Sequence, residues 1–151
     1  MIDGVKIKKL IKHPDSRGFF IEILRNDDKL LKKFGQTSYT FTRPGIIKAF
    51  HWHKKQDDLW FVATGSAQVV LYDLRKKSKT HKKTQVILTG EDKPLLIVIP
   101  KGVAHGYKVL GSKPVCLFYH TTESYNAKKP DEGRISHDDK SIGFNWKSKY
   151  K

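Results

Sequence analysis

The chain has 151 residues, 38% of them hydrophobic and 11% aromatic, which predicts one folded domain over residues 1–151 and excludes a largely disordered protein. Its single cysteine excludes an intrachain disulfide, and no apolar stretch reaches the ~20 residues of a membrane helix, so we expect a cytoplasmic protein without a membrane partner. A net charge of +15 is typical of nucleic-acid-binding proteins, but the lysines are scattered over every loop and both ends. We therefore expect a solvated basic surface that attracts a small anion, and no nucleic-acid partner.

Short apolar runs and alternating patterns, separated by turn residues, predict β-strands along most of the chain. A short helix is expected over residues 27–34, with Asn26 or Asp27 as its N-cap and Gly35 at its end. Many short strands with little helix predict an all-β protein, an antiparallel sandwich or jelly roll. The tail from Ala127 is expected to be irregular, with 142–146 packing back on the barrel. The predicted strands cover 19–24, 37–42, 46–53, 58–63, 68–72, 85–88, 95–99, 103–110 and 115–119.

Histidines mark the ends of two of these segments. His51 and His53 close one strand and, being two residues apart, point to the same face of it. His105 follows the turn that begins at Pro100. Imidazoles in the mouth of a small barrel suit either proton transfer near neutral pH or a bound metal ion, and the residues by themselves leave both open.

Six segments, in order along the chain, resemble the motifs of the dTDP-4-dehydrorhamnose 3,5-epimerase family. The first resembles D-x-R-G-x-F-x-E and the last N-D-P-x-L-G-I-x-W, so the likeness covers most of the chain. The segments are Asp15-Ser16-Arg17-Gly18-Phe19-Phe20-Ile21-Glu22, Lys48-Ala49-Phe50-His51, Tyr72-Asp73-Leu74-Arg75-Lys76-Lys77-Ser78-Lys79-Thr80, Ile99-Pro100-Lys101-Gly102-Val103-Ala104-His105-Gly106-Tyr107, Tyr119-His120-Thr121-Thr122-Glu123-Ser124-Tyr125 and Asp138-Asp139-Lys140-Ser141-Ile142-Gly143-Phe144-Asn145-Trp146.

The resemblance implies a cupin-type antiparallel jelly-roll barrel, a homodimer, and a site that works without cofactor or metal. It assigns His51 as the base that removes the proton next to a 4-keto group, Asp139 as the carboxylate that orients this histidine, and Tyr119 as the acid on the opposite face. These residue types suit the roles, because imidazole accepts a proton near working pH and a hydrogen-bonded carboxylate fixes its tautomer.

The resemblance also implies a nucleotide-diphosphate sugar as substrate. Arg17, Glu22 and Tyr125 match positions that hold the nucleotide, partly from the neighbouring subunit. Lys48 stands where the family has an arginine and can still contact a diphosphate, without the bidentate fork. His53 and His105 complete the expected substrate-binding set.

One departure from the family is prominent. The family has a lysine seven residues before the hairpin glycine, aimed at the enolate oxygen, and this chain has Asp58 there. A carboxylate would repel an enolate, so another group, such as His105 or Lys54, has to stabilise that charge.

Three alternatives follow from such departures. The segment from Phe50 to Lys55 resembles the F-H-x-H-K-K of sugar-nucleotide 3,4-ketoisomerases. His51, His53, Asp58 and His105 follow the metal-cupin pattern, with aspartate for glutamate. A non-catalytic sugar-binding cupin is the third. We expect no bound metal, because aspartate is shorter than glutamate and because the other segments follow the metal-free epimerase pattern.

Overall fold

The computed structural model describes residues 1–147 of the chain. Within this part, twelve β-strands and one 3₁₀ turn follow one another, and every predicted strand is present. The strands are β1 (Lys6–Lys9), β2 (Lys12–Asp15), β3 (Gly18–Ile21), β4 (Gln36–Thr42), β5 (Ile47–Trp52), β6 (Asp58–Thr64), β7 (Ser66–Asp73), β8 (Thr84–Gly90), β9 (Leu95–Ile99), β10 (Val103–Leu110), β11 (Val115–Thr121) and β12 (Gly133–Arg134).

The strands form two five-stranded antiparallel sheets and a separate hairpin. The first sheet has the order β1-β9-β6-β11-β4, the second has the order β12-β5-β10-β7-β8, and β2 pairs with β3. Apolar side chains from both sheets meet in one core cluster, including Val62 and Leu117 from the first sheet and Val69 and Val109 from the second. Two packed antiparallel sheets around such a core confirm the predicted all-β, cupin-type jelly roll.

Both sheets are also covered on their outer faces, which explains why strands such as β7 are buried along nearly their whole length. Residues 21–31 contribute Ile21, Leu30 and others to a cluster against β6 and β9. The C-terminal tail covers the second sheet, where Trp146 is buried against Phe50 with ring centroids 5.5 Å apart. The expectation that 142–146 packs back on the barrel is confirmed.

The helix predicted over 27–34 is wrong. Only a 3₁₀ turn at Asn26–Asp28 forms, and Lys29 ends it in the left-handed region at φ 52°. Asp28 accepts hydrogen bonds from the Arg25 backbone and the Lys8 ammonium, which stabilises this single turn. Leu30 and Leu31 then pack on the first sheet, so tertiary burial overrides the local helix signal.

The segment at 72–80, one of the six motif segments, forms a buried hydrogen-bond network. Asp73 is fully buried and its carboxylate accepts hydrogen bonds from Arg75, Ser78 and Thr80. Burial alone would raise the pKa of Asp73, but these hydrogen bonds hold the pKa well below its ordinary value. The network fixes the loop between β7 and β8.

A two-residue strand in the tail was not predicted, and it matters for the site. β12 pairs with the end of β5, opposing Gly133 to Trp52 and Arg134 to His51. A Cβ at position 133 would lie 2.2 Å from the Trp52 ring, so only glycine permits this approach. The pairing brings residues 131–134 next to His51. No helix among residues 1–147 is long and apolar enough to cross a membrane.

Candidate active site

A cavity of about 1080 Å³ opens between the two sheets. Of the residues predicted for the site, six line it and three do not. Its walls come from β4, β5, β6, β10 and β11 and from the segment after β11. The six predicted residues that line it are Lys48, His51, His53, His105, Tyr119 and Tyr125, whereas Arg17, Glu22 and Asp139 lie outside it.

His51 is paired with a carboxylate that the sequence did not identify. Its Nδ1 lies 2.5 Å from Oε1 of Glu132, which also accepts a hydrogen bond from Nε of Arg134 at 2.8 Å. Although burial acts in the opposite direction, these bonds from Arg134 and His51 hold the pKa of Glu132 below its ordinary value. An ionised carboxylate can only accept, so Nδ1 carries the hydrogen and Nε2 of His51 presents a lone pair.

The expected pair between His51 and Asp139 is not formed. Asp139 is half-buried and accepts hydrogen bonds from the backbone N–H and the hydroxyl of Ser141, at 2.8 and 2.5 Å. It therefore stabilises the turn that leads into residues 142–146, which pack on the barrel. The β12–β5 pairing places Glu132, not Asp139, beside the imidazole.

Tyr119 faces the cavity from the other sheet. It lies on β11 of the first sheet, between Ser38 of β4 and Trp60 of β6, and packs against the central core cluster. His51 lies on β5 of the second sheet. A ligand between the sheets would have an imidazole on one side and a phenol on the other.

Deeper in the cavity, His53, Asp58 and His105 converge. Nε2 of His53 lies 3.8 Å and Nε2 of His105 lies 3.6 Å from the Asp58 carboxylate. Asp58 and His105 are each 3% exposed. Burial lowers the pKa of His105 to about 4, so this ring is neutral near pH 7.

Cationic side chains surround the cavity mouth. Lys48 donates to the Thr40 hydroxyl at 2.9 Å, and Tyr125 is 65% exposed at the rim. Four further cations line the cavity, which suits an anionic ligand such as a diphosphate. They are Lys54, Lys55, Lys129 and Arg134.

Arg17 and Glu22 are not brought to this cavity within one chain. Arg17 is exposed on the β2–β3 hairpin and pairs with Asp15 at 2.8 Å. Glu22 pairs with Arg25 at 2.8 Å, just after β3. Their expected contact with nucleotide therefore requires a second subunit.

Sequence reasoning missed Asp131 and Glu132. The Asp131 carboxylate accepts hydrogen bonds from the backbone N–H groups of residues 54–56, and its carbonyl accepts the Nδ1–H of His53. The only signal in the sequence was two adjacent acidic residues within a basic tail. Since β12 is just two residues long, no periodicity could show that this segment joins a sheet.

The family model described as dTDP-4-dehydrorhamnose 3,5-epimerase matches residues 1–151. The chain belongs to this family. Its members are enzymes of the isomerase class that act on nucleotide sugars, which agrees with a large cavity carrying a carboxylate-paired histidine.

Relatives and solved structures agree with this membership. The chain is 61% identical over all 151 residues, covering 100% of both chains, to the spore coat polysaccharide biosynthesis protein SpsL of Bacillus subtilis strain 168. It is 32% identical to the probable low-salt glycan biosynthesis epimerase Agl13 of Haloferax volcanii, covering 96% of this chain and 94% of that one.

Among solved structures, a dTDP sugar isomerase from Desulfovibrio desulfuricans G20 superposes with a TM-score of 0.90 at 27% identity, covering 96% of this chain and 92% of that one. A dTDP-6-deoxy-D-glucose-3,5-epimerase from Legionella pneumophila, solved with dTDP-4-keto-L-rhamnose, gives a TM-score of 0.86 at 27% identity, covering 97% and 80%. The segment from Phe50 to Lys55 resembles a ketoisomerase motif, and this resemblance stays a prediction.

Proposed function

We propose that the protein epimerises a nucleotide-linked 4-keto-6-deoxy sugar, with His51 as the base and Tyr119 as the acid. One observation carries the proposal: the His51–Glu132 pair and Tyr119 face one cavity from opposite sheets. Inversion at a carbon requires removal of a proton from one face and its return to the other. The two sheets supply one group for each face.

The chemistry follows from the hydrogen bonds. Nε2 of His51 takes the proton from the carbon next to the 4-keto group, and the bond's electrons move onto the keto oxygen as an enolate. The ionised Glu132 stabilises the imidazolium that forms and keeps its Nδ1 hydrogen in place. Tyr119 then donates its phenolic proton to the opposite face of the carbon. Solvent restores both groups, so the proton transfers need no organic cofactor.

The rim of the cavity fits a diphosphate. Lys48, Lys54, Lys55, Lys129 and Arg134 place five cations around an opening that a nucleotide-sugar diphosphate would have to enter. Tyr125, exposed at the rim, offers a ring on which a nucleotide base can stack. We infer that the substrate is a nucleotide-diphosphate sugar of the dTDP-4-keto-6-deoxy class.

We also infer that the enzyme is a homodimer. Arg17 and Glu22 do not reach the cavity of their own chain; Arg17 lies on the exposed β2–β3 hairpin and Glu22 directly follows it. Apolar side chains on this hairpin and on β4 are exposed in the single chain, as expected for a surface that another subunit covers. They are Phe19 at 55%, Phe20 at 64%, Tyr39 at 54% and Phe41 at 54% exposure.

The test is incubation with dTDP-4-keto-6-deoxyglucose in D2O, followed by NMR. Deuterium uptake at C3 and C5 with inversion is the expected result. Conversion to a 3-keto isomer would support the ketoisomerase reading instead. Binding without exchange at either carbon would contradict the proposal and favour a non-catalytic sugar-binding protein.

A further inference from the structure

We propose that His53, Asp58 and His105 bind a divalent first-row transition-metal ion next to the catalytic histidine. Three ligand atoms, one from each residue, lie within 4.8 Å of one another. Two imidazole nitrogens and one carboxylate form a ligand set that such ions take, with coordination positions left open. The proposal departs from the metal-free site that the family motifs imply.

The hydrogen bonds of the two histidines turn their lone pairs toward this point. Nδ1 of His105 lies 3.0 Å from the Val103 carbonyl oxygen, and Nδ1 of His53 contacts the carbonyl oxygen of Asp131. A carbonyl oxygen only accepts, so both Nδ1 atoms carry the hydrogen and both Nε2 atoms present lone pairs. Histidines that bind metal ions are held in this way, with the other ring nitrogen donating to a carbonyl or carboxylate.

Hydrogen bonds also fix the orientation of the Asp58 carboxylate. Gln56 donates to its Oδ1 at 2.7 Å and the Trp60 indole donates to its Oδ2 at 3.2 Å. The carboxylate thus faces the two Nε2 lone pairs at 3.6 and 3.8 Å, beyond hydrogen-bond length. Asp58 and His105 are buried and His53 is partly buried, and a cation between groups that present electron pairs to one another stabilises all three.

The spacing suits a metal ion. With bond lengths of about 2.0–2.2 Å, two ligands of one ion lie roughly 3 Å apart when adjacent and roughly 4 Å apart when opposite. The observed Nε2–oxygen separations of 3.6 and 3.8 Å fall inside this range. His53 and His105 belong to the second sheet and its following loop, whereas Asp58 opens β6 of the first, so the ion would join the two sheets.

His51 is not one of the ligands. Its Nδ1 is engaged by Glu132, and its Nε2 has to remain free to accept a proton. The proposed site therefore has three protein ligands and differs from the four-ligand metal-cupin pattern, in which His51 would also bind the ion. A base and a metal ion can then act side by side.

The ion would replace a charge that the family motif provides differently. Where that motif has a lysine aimed at the enolate oxygen, this chain has Asp58. A divalent ion on one carboxylate and two neutral imidazoles carries the single positive charge that the lysine would supply. This role as electrophile rests on the proposed epimerase function, whereas the binding site does not.

Metal binding is tested first, without substrate. The purified protein is stripped with a chelator and titrated with Co²⁺ and Zn²⁺, with calorimetry for stoichiometry and visible absorption for Co²⁺ coordination. We expect one ion per chain. Asp58→Asn and His105→Gln should weaken binding by more than the ~10–100-fold that loss of an outer hydrogen-bonding partner causes. His51→Asn and the exposed His13→Gln serve as controls and should bind as the wild type does.

Different results test the existence of the metal site, its ligand composition and its role as electrophile. The proposed site would be overturned if the protein failed to saturate at one ion per chain, or if a folded Asp58→Asn variant bound metal as the wild type does. Loss of binding in His51→Asn would overturn the three-ligand composition of the site. Thermal unfolding of each variant establishes that it is folded. For the electrophile role, deuterium exchange should fall on stripping and return with metal. Asp58→Lys should lose the metal and exchange independently of chelator, while exchange by the stripped wild type at the full rate would overturn the role.

Discussion

Glu132 accepts a hydrogen bond from Nδ1 of His51 across 2.5 Å, although the residues lie 81 positions apart. The contact exists because β12 adds itself to the edge of β5. It gives the proposed base a fixed tautomer and a partner for the imidazolium.

Glu132→Gln should lower the epimerisation rate by at least ~10²-fold, because an amide no longer compensates the imidazolium and can select the wrong tautomer. The measurement is the initial rate under saturating substrate, with circular dichroism to check the fold. Asp139→Asn is the matched comparison, since the sequence had assigned Asp139 this role. Full activity in Glu132→Gln with loss in Asp139→Asn would restore the assignment from the sequence.

Tyr119→Phe should separate the two proton transfers. His51 can still remove a proton and return a deuteron to the same face, so exchange in D2O should continue while inversion falls by at least ~10²-fold. NMR of the recovered sugar reports both quantities in one sample. Tyr39→Phe, on the outer face of β4, should leave both unchanged. Inversion at the wild-type rate in Tyr119→Phe would assign the acid to another residue.

Asp73→Asn should destabilise the fold by about 3 kcal/mol, because it breaks a buried charge network with Arg75, Ser78 and Thr80. Since the folded-state pKa of Asp73 is lowered, its stabilising contribution is complete above the unfolded value of about 3.9 and is lost as pH falls below it. Urea unfolding at pH 6 and pH 3 should show a smaller acid loss for the variant than for the wild type. An equal loss in both proteins would contradict this.

Phe20→Asp should shift the protein from dimer to monomer, since a charge placed on the exposed hairpin cannot be buried against a second subunit. Light scattering at micromolar concentration measures the mass. Phe34→Asp makes the same change at a side chain that is 66% exposed outside the hairpin and β4, and should leave the dimer intact. A monomeric wild type would remove the proposed nucleotide contacts of Arg17 and Glu22.

Much of the fold could be predicted because its strands carry strong apolar patterns. Leu95–Ile99 and Val103–Leu110 have the predicted bounds, because both are largely apolar, almost fully buried strands in the interior of covered sheets. Strands β1, β2 and β12 were missed, since β1 is lysine-rich, β2 is polar and contains a proline, and β12 is too short for any period.

In the candidate site, too, residues on strongly patterned strands could be predicted and residues placed by a short strand could not. Motif likeness found the cavity residues His51, His105 and Tyr119, because they lie on strong strands. The carboxylate partner could not be found, since its position depends on a non-local pairing of the tail with β5. Asp139 lies in a segment that matches a family motif, whereas Glu132 does not. The Asp139 carboxylate nevertheless stabilises a turn and is not the partner of His51.

The central claim is that His51 removes the proton from the carbon next to the keto group. Wild type and His51→Asn are compared in D2O with dTDP-4-keto-6-deoxyglucose, with His13→Asn as an exposed control. We predict exchange at C3 and C5 in the wild type and the control, and at least ~10²-fold slower exchange at both carbons in a folded His51→Asn variant. Exchange in His51→Asn within a few-fold of the wild-type rate would contradict the account and move the base elsewhere in the cavity.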